Sequence, residues 1–414
     1  MGSLGATAHL PAFGATLGAA WLLWTTAVPA VPADGKQSLS WEEFPASTDP
    51  NAVCMDGSRG GVYVSAADGN TEQAQYYILY LEGGGWCWNA ETCNARCRWS
   101  ETLQMCISPL ASSKLWEDTV FQAGLLATDP SLTPLWGANK FFLRYCTGDA
   151  HMGSRGASPE TSGWHFRGQE TIIASLRIMV EKYGLGSVPG QTLLFGGGSA
   201  GARGAMVNLD YLPGLLDELG ARGVATLGFL DSPYWIDESP DAAATPPSTF
   251  AGFGITTREA YALLNLSGRA TGECLLAYPG EDWKCAFGQY RMPFIRTPYL
   301  MVASQFDAFQ LGLNVGHYPS TKQEIDYAEA FAKGTYEAVT KLVELSVFNN
   351  SGLYSMACWS HSTSLTESFS TATVKGVSNA GALSTFLGLS PGSLINMDTC
   401  EGFECGSCRE LVVV

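Results

Sequence analysis

"FGGGSAGARG", residues 195–204, decides how this chain is read. Gly197-Gly198-Ser199-Ala200-Gly201 satisfies G-x-S-x-G, a pattern that any glycine-rich chain meets cheaply, so its flanks carry the argument. "QTLLFGGGS" (191–199) reads as a buried strand, and "ARGAMVNLDYL" (202–212) as the helix that follows it. Strand, sharp turn and helix are the setting of a nucleophile elbow, in which Ser199 is projected from a strained turn and glycines let strand and helix approach. A phosphate-binding loop would end in Lys-Ser or Lys-Thr, whereas Ala202, Arg203 and Gly204 stand here. A purely structural turn is the plain alternative.

Outward from the elbow, the same kind of strand recurs. "YYILYLEGG" (76–84), "KFFLRYC" (140–146), "VATLGFLDS" (224–232), "TPYLMVASQFD" (297–307) and "GLYSMACWSH" (352–361) are short apolar runs ending in polar or glycine residues. Between them, 168–183 (with Ile172, Leu176 and Met179) and 322–348 (with Ile325, Ala328, Phe331 and Val339) space apolar residues as amphipathic helices do. Alternating strands and helices predict an α/β sandwich with a mostly parallel central sheet and helices on both faces. Its chemistry gathers beyond the carboxyl ends of the strands.

A serine nucleophile needs a base and an orienting acid. Of five histidines only His317 and His361 follow Ser199. His361 closes a strand, whereas His317, in "NVGHYPS", reads as a surface or core-edge residue. Two acids close strands downstream, Asp307 and Asp231; spacing alone leaves both open, and either also suits a turn cap. "YLEGGGWCWN" (80–89) places a glycine cluster after a strand, so that the N–H groups of Gly85 and Trp86, with that of Ala200, form a candidate oxyanion hole. A tight turn before a small disulfide loop, Cys87 to Cys93, is compatible with the same residues. Trp86 and Trp88 are candidate substrate-binding walls, although a core is the commoner fate of an indole.

Composition bounds the compartment and the partners. A net charge of −16 with no basic run excludes nucleic acid as a partner and disfavours anionic lipid. Twelve cysteines fit an oxidising compartment. Residues 1–33 carry no charge, and "LGAAWLLWTTAV" (17–28) is apolar, as in a secretory signal peptide; the missing basic start keeps an uncleaved anchor as the alternative. Residues 34–414 then form a single catalytic domain with a Cys-rich tail, secreted to the extracellular space or cell wall without stable membrane insertion. Two sequons, Asn265-Leu266-Ser267 and Asn349-Asn350-Ser351, are compatible with a glycoprotein.

Together "LEGGGWCWN", "FGGGSAGARGAMVNLDYL", "SQFDAFQL" and "CWSHS" resemble the pectin acetylesterase and Notum family of secreted carboxylesterases, over roughly Cys54 to His361. The resemblance implies an α/β-hydrolase-like fold, with Ser199 as nucleophile, Asp307 rather than Asp231 as acid, His361 as base, and oxyanion donors at Gly85, Trp86 and Ala200. It also implies the pairs Cys54–Cys146 and Cys87–Cys93. The chemistry expected of Ser199, His361 and Asp307 uses no cofactor and no metal. Cys400, Cys405 and Cys408, at a spacing that also suits zinc, read as disulfide cysteines in a secreted chain.

The expected activity is therefore hydrolysis of ester-linked acyl groups, foremost O-acetyl groups on pectin or another cell-wall polysaccharide. Arg96, Arg98 and Arg144 are the basic side chains available to such an acidic polymer. A deacylase acting on a lipidated protein and a catalytically silent carbohydrate-binding relative are the alternatives.

Overall fold

The computed structural model describes residues 36–266 and 272–407. The predicted leader, Ser267 of the first sequon and Cys408 lie outside them.

Ten strands form the central sheet: β1 (Gln37–Glu43), β2 (Gly61–Ser65), β3 (Tyr76–Leu81), β4 (Thr119–Gln122), β5 (Asn139–Leu143), β6 (Thr192–Gly198), β7 (Ala225–Asp231), β8 (Tyr299–Asp307), β9 (Gly352–Ser360) and β10 (Ile395–Met397), in the order β10-β9-β8-β7-β6-β3-β5-β2-β1-β4. From β10 to β5 every neighbouring pair is parallel, and β2, β1 and β4 extend one edge as an antiparallel ribbon. All six apolar runs read from the sequence are strands of the parallel part.

Alternate residues of these buried strands serve two cores. Tyr77, Leu79 and Leu81 of β3 join one cluster, which the helix Gly168–Glu181 (α2) reaches with Ile172, Leu176 and Met179. Ile78 and Tyr80 join the other, closed by Leu383 of the helix Asn379–Phe386. Period-two alternation with both faces covered explains why the strands read as unbroken apolar runs. The long helix Lys322–Val343 starts in a capping box between Thr321 and Glu324 and ends before the turn at Ser346–Phe348, five residues short of the predicted span.

Strand register then sets the chemistry. Leu81 pairs with Gly197, Gly198 with Asp231, and Asp307 with Ser360, so the carboxyl ends of β3, β6 and β7, and those of β8 and β9, lie level with one another. The chain passes β3 on both sides, with β5 and β6 as its neighbours, and this reversal of strand order is where an open α/β sheet forms its crevice.

Five disulfides join Cys54–Cys146, Cys87–Cys93, Cys97–Cys106, Cys274–Cys285 and Cys400–Cys405, and Cys358 is also disulfide-bonded. Cys400 and Cys405 are thus consumed by a disulfide rather than held as metal ligands. Both sequon asparagines are exposed. Among the described residues no helix is long and apolar enough to cross a membrane.

Candidate active site

Ser199 occupies the single-residue turn between β6 and the helix Ala200–Asn208 (α3), with φ 55° and ψ −121°. Positive φ in a residue that bears a Cβ is uncommon and costs on the order of 1–3 kcal/mol, so the surroundings must impose it. They do so through two close approaches. A Cβ on Gly201 would lie 2.0 Å from the Leu81 carbonyl oxygen, and one on Gly197 would lie 2.5 Å from it, so only glycine lets α3 rest on the end of β3. The Ser199 N–H donates to the Asp231 carbonyl at 2.9 Å, and the Ser199 carbonyl accepts from Arg203.

Asp307 ends β8 and caps the helix Ala308–Val315. Its Oδ1 accepts the Gln310 N–H at 2.9 Å, while its Oδ2 accepts from His361 Nδ1, also at 2.9 Å. Both carboxylate oxygens are therefore committed, which fixes the rotamer and leaves Nε2 as the His361 ring nitrogen that Asp307 does not engage. Nε2 is buried and without a hydrogen-bond partner; a Ser199–His361 hydrogen bond is not formed in this state. Catalytic hydrogen bonds are commonly long before substrate binds. Burial lowers the His361 pKa, but the charge and hydrogen bond of Asp307 and the charge of Asp231 outweigh it, so the net shift is upward.

The loop carrying His361 packs on the elbow. The Ser362 N–H donates to Ser232 Oγ at 3.0 Å, the Ser364 N–H to Asp231 Oδ2 at 2.7 Å, and Tyr80 Oη pairs with Ser364 Oγ at 2.7 Å. A Cβ on Gly198 would sit 3.2 Å from Ser362 Oγ. Asp231 makes no bond to the imidazole; it ties the elbow to the histidine loop, and burial raises its carboxyl pKa against the pull of these hydrogen bonds. His317 lies elsewhere, paired at 3.1 Å with Glu324.

The glycine loop lies against the serine: a Cβ on Gly83 would be 3.0 Å from that of Ser199. The N–H groups of Gly85, Trp86 and Ala200 find no acceptor among the described residues. Trp86 is almost wholly buried, with the Arg203 guanidinium 4.3 Å above its ring and Trp235 at 5.2 Å. Trp235, 1% exposed, reaches His361 edge-on at 5.8 Å, and Phe309 stacks on His361 at 5.2 Å. Trp88 stands further out, meeting Phe250, which packs on Phe253. Trp235 stands in none of the quoted motifs, and Phe309, although it lies within "SQFDAFQL", carries no signal of its own there; Phe309 is on the helix that Asp307 caps, and Trp235 arrives because Gln310 bonds the backbone of its neighbours Tyr234 and Ile236.

Two of the three basic side chains are engaged within the fold. Arg96 donates to the carbonyls of Gly84 and Leu110, and Arg144 stands 3.9 Å from Glu82, whose carboxyl burial pushes up. Arg98 is an exposed left-handed helix cap.

A family model described as pectinacetylesterase matches residues 43–401, which include every residue of this constellation. The chain belongs to the pectinacetylesterase family. Among its relatives, the palmitoleoyl-protein carboxylesterase NOTUM of Drosophila melanogaster is 28% identical over 335 residues, covering 75% of this chain and 47% of that protein. The palmitoleoyl-protein carboxylesterase notum1 of Xenopus laevis is 31% identical over 64% of this chain and 52% of its own length. Pectin acetylesterase 5 of Arabidopsis thaliana is 30% identical over 63% of this chain and 55% of its own. The chain thus spans about half the length of the curated relatives it matches. A crystal structure of the Wnt deacylase Notum from Drosophila superposes with a TM-score of 0.77 at 24% identity, covering 90% of this chain and all of that one, and shares the α/β-hydrolase-like fold.

Proposed function

We propose that this pectinacetylesterase-family chain is a metal-free and cofactor-free serine carboxylesterase that works through an acyl-enzyme on Ser199. The observation that carries the reading is the Asp307–His361 hydrogen bond, held by a loop that packs on the strained turn bearing Ser199.

His361 Nε2 takes the Ser199 proton as Oγ attacks the ester carbonyl, while Asp307 keeps the proton on Nδ1 and stabilises the imidazolium. The amides of Gly85, Trp86 and Ala200 receive the oxyanion, each contributing on the order of 3 kcal/mol. His361 then protonates the leaving alcohol, and water, activated by the same nitrogen, releases the acid. Ser199→Ala should abolish p-nitrophenyl acetate hydrolysis without changing the melting temperature; undiminished turnover would refute the assignment.

The foremost substrates are O-acetyl esters of a cell-wall polysaccharide, met outside the cell by a disulfide-bonded domain, 34–414, after loss of leader 1–33. A second reading, removal of a fatty acyl group from a protein, draws support from the aromatic wall of Trp86, Trp235 and Phe309 beside His361. A series of p-nitrophenyl esters from acetate to palmitate separates them. Falling kcat/KM with chain length supports the acetylesterase, and rising kcat/KM the deacylase.

A further inference from the structure

We propose that Arg96 is a positioning residue that aims the oxyanion hole. The inference rests on the esterase reading above. The peptide between Gly84 and Gly85 is planar and trans, so its C=O and its N–H point in opposite directions. Arg96 Nη1 donates to the Gly84 carbonyl at 2.9 Å. Held toward Arg96, that carbonyl turns the Gly85 N–H the other way, away from the arginine, and this N–H has no acceptor among the described residues. On the adjoining residues, a Cβ on Gly83 would meet Ser199, and one on Gly85 would meet nothing within 4 Å, so the loop touches the serine on one side and faces open space on the other.

Gly84 and Gly85 have φ of 135° and 66°, a region in which glycine is free to choose among several orientations. Without an external hold, the peptide between them has no intrinsic reason to keep its amide turned away from the arginine. Arg96 supplies that hold and is itself fixed. It lies on the helix Ala90–Cys97 (α1), which starts in an Asn89–Thr92 capping box and is tied at either end by Cys87–Cys93 and Cys97–Cys106. Its Nε donates to the Leu110 carbonyl at 3.3 Å, and its guanidinium lies 4.8 Å over the Tyr145 ring. A second hold acts upstream, where His151 Nε2 meets the Glu82 carbonyl at 2.9 Å and the Tyr145 N–H donates to the Glu82 carboxylate. The small disulfides near the glycine loop thereby acquire a reason: they build the platform from which Arg96 reaches Gly84.

The test compares Arg96→Met and Arg96→Lys with wild type and Ser199→Ala, by steady-state hydrolysis of p-nitrophenyl acetate, thermal melting and crystallography of the Met variant. Arg96→Met should lower kcat about 10²-fold, as loss of one oxyanion donor does, with KM changed less than about three-fold. Arg96→Lys, which keeps a donor, should recover at least about ten-fold of that loss. The Gly84–Gly85 peptide should be rotated or multiply placed in the Met crystal. A kcat within about three-fold of wild type, a loss confined to KM, or an unchanged peptide would each overturn the proposal. If Arg96→Met fails to fold, the kcat and KM of Arg96→Lys carry the test, with an intermediate kcat at unchanged KM expected and a KM effect alone contradicting it. Wild-type turnover by Ser199→Ala would instead sink the nucleophile reading, and the peptide's orientation would still decide what Arg96 does.

Discussion

Asp231 and Ser364 are joined by a 2.7 Å hydrogen bond from backbone N–H to carboxylate, and the backbone carbonyl of the same aspartate holds the Ser199 N–H at 2.9 Å. One residue thus fastens the turn bearing Ser199 to the loop that presents His361. Asp231→Asn keeps an acceptor but removes the charge, so it should leave kcat near wild type and move the acid limb of the pH–rate profile to lower pH. Asp231→Ala removes both and should lower kcat on the order of 10²-fold through misplacement of His361. Equal effects of the two substitutions, measured by full pH profiles, would contradict this division of roles.

The pH dependence of the wild type follows from the raised pKa of His361. Only the neutral imidazole accepts the Ser199 proton, so kcat/KM should rise with pH to a midpoint above the ordinary histidine value of about 6.5. The effect on stability runs in the opposite sense. A group whose folded pKa is raised contributes stability fully below its unfolded pKa and loses it as pH rises through the folded one. The melting-temperature advantage of wild type over His361→Gln should therefore shrink as activity grows; an advantage that widens with pH would refute the sign.

The elbow glycines should resist even a methyl group. Gly201→Ala places a Cβ 2.0 Å from the Leu81 carbonyl oxygen and should cost about 3 kcal/mol or abolish soluble expression. Gly214→Ala, where nothing lies within 4 Å, should be neutral or slightly stabilising. Chemical denaturation of both variants checks the contrast.

The disulfides should divide by role. Cys54–Cys146 spans 92 residues, and its removal should cost roughly 4–5 kcal/mol of stability on the loop-entropy argument. Cys87–Cys93 spans only 6 residues, so a Cys87→Ser/Cys93→Ser variant should lose less stability. It should nevertheless lose activity, because it loosens the platform under the glycine loop. Parallel melting and kinetic measurements on the two double variants decide it.

The legible part of the fold is its interior. Strands such as Tyr299–Asp307, buried at every position, have to be apolar on both faces, and that continuity is visible in one dimension. Gln37–Glu43 and Thr119–Gln122 lie at the antiparallel edge with half-exposed polar residues, and Ile395–Met397 at the other edge is three residues long; none has a run to read. Ser199, Asp307 and His361 are candidates in the sequence because each closes a strand, and the choice of Asp307 over Asp231 is what the family resemblance implies. Asp231 ends a strand too, and nothing in its spacing tells a histidine partner from a loop tie. The difference lies in register, which sets Asp307 beside Ser360 and Asp231 beside Gly198. The contacts of Arg96, Trp235 and Phe309 depend on how loops fold over the sheet, which no periodicity records.

The most direct measurement is covalent trapping of the nucleophile. The protein is incubated with diethyl p-nitrophenyl phosphate, digested, and its peptides are weighed by tandem mass spectrometry. A single diethylphosphoryl group is expected on Ser199, formed with release of one p-nitrophenolate per chain and lost in Ser199→Ala. Modification of a different residue with Ser199 untouched, or hydrolysis of p-nitrophenyl acetate that survives the treatment, would contradict Ser199 as the nucleophile.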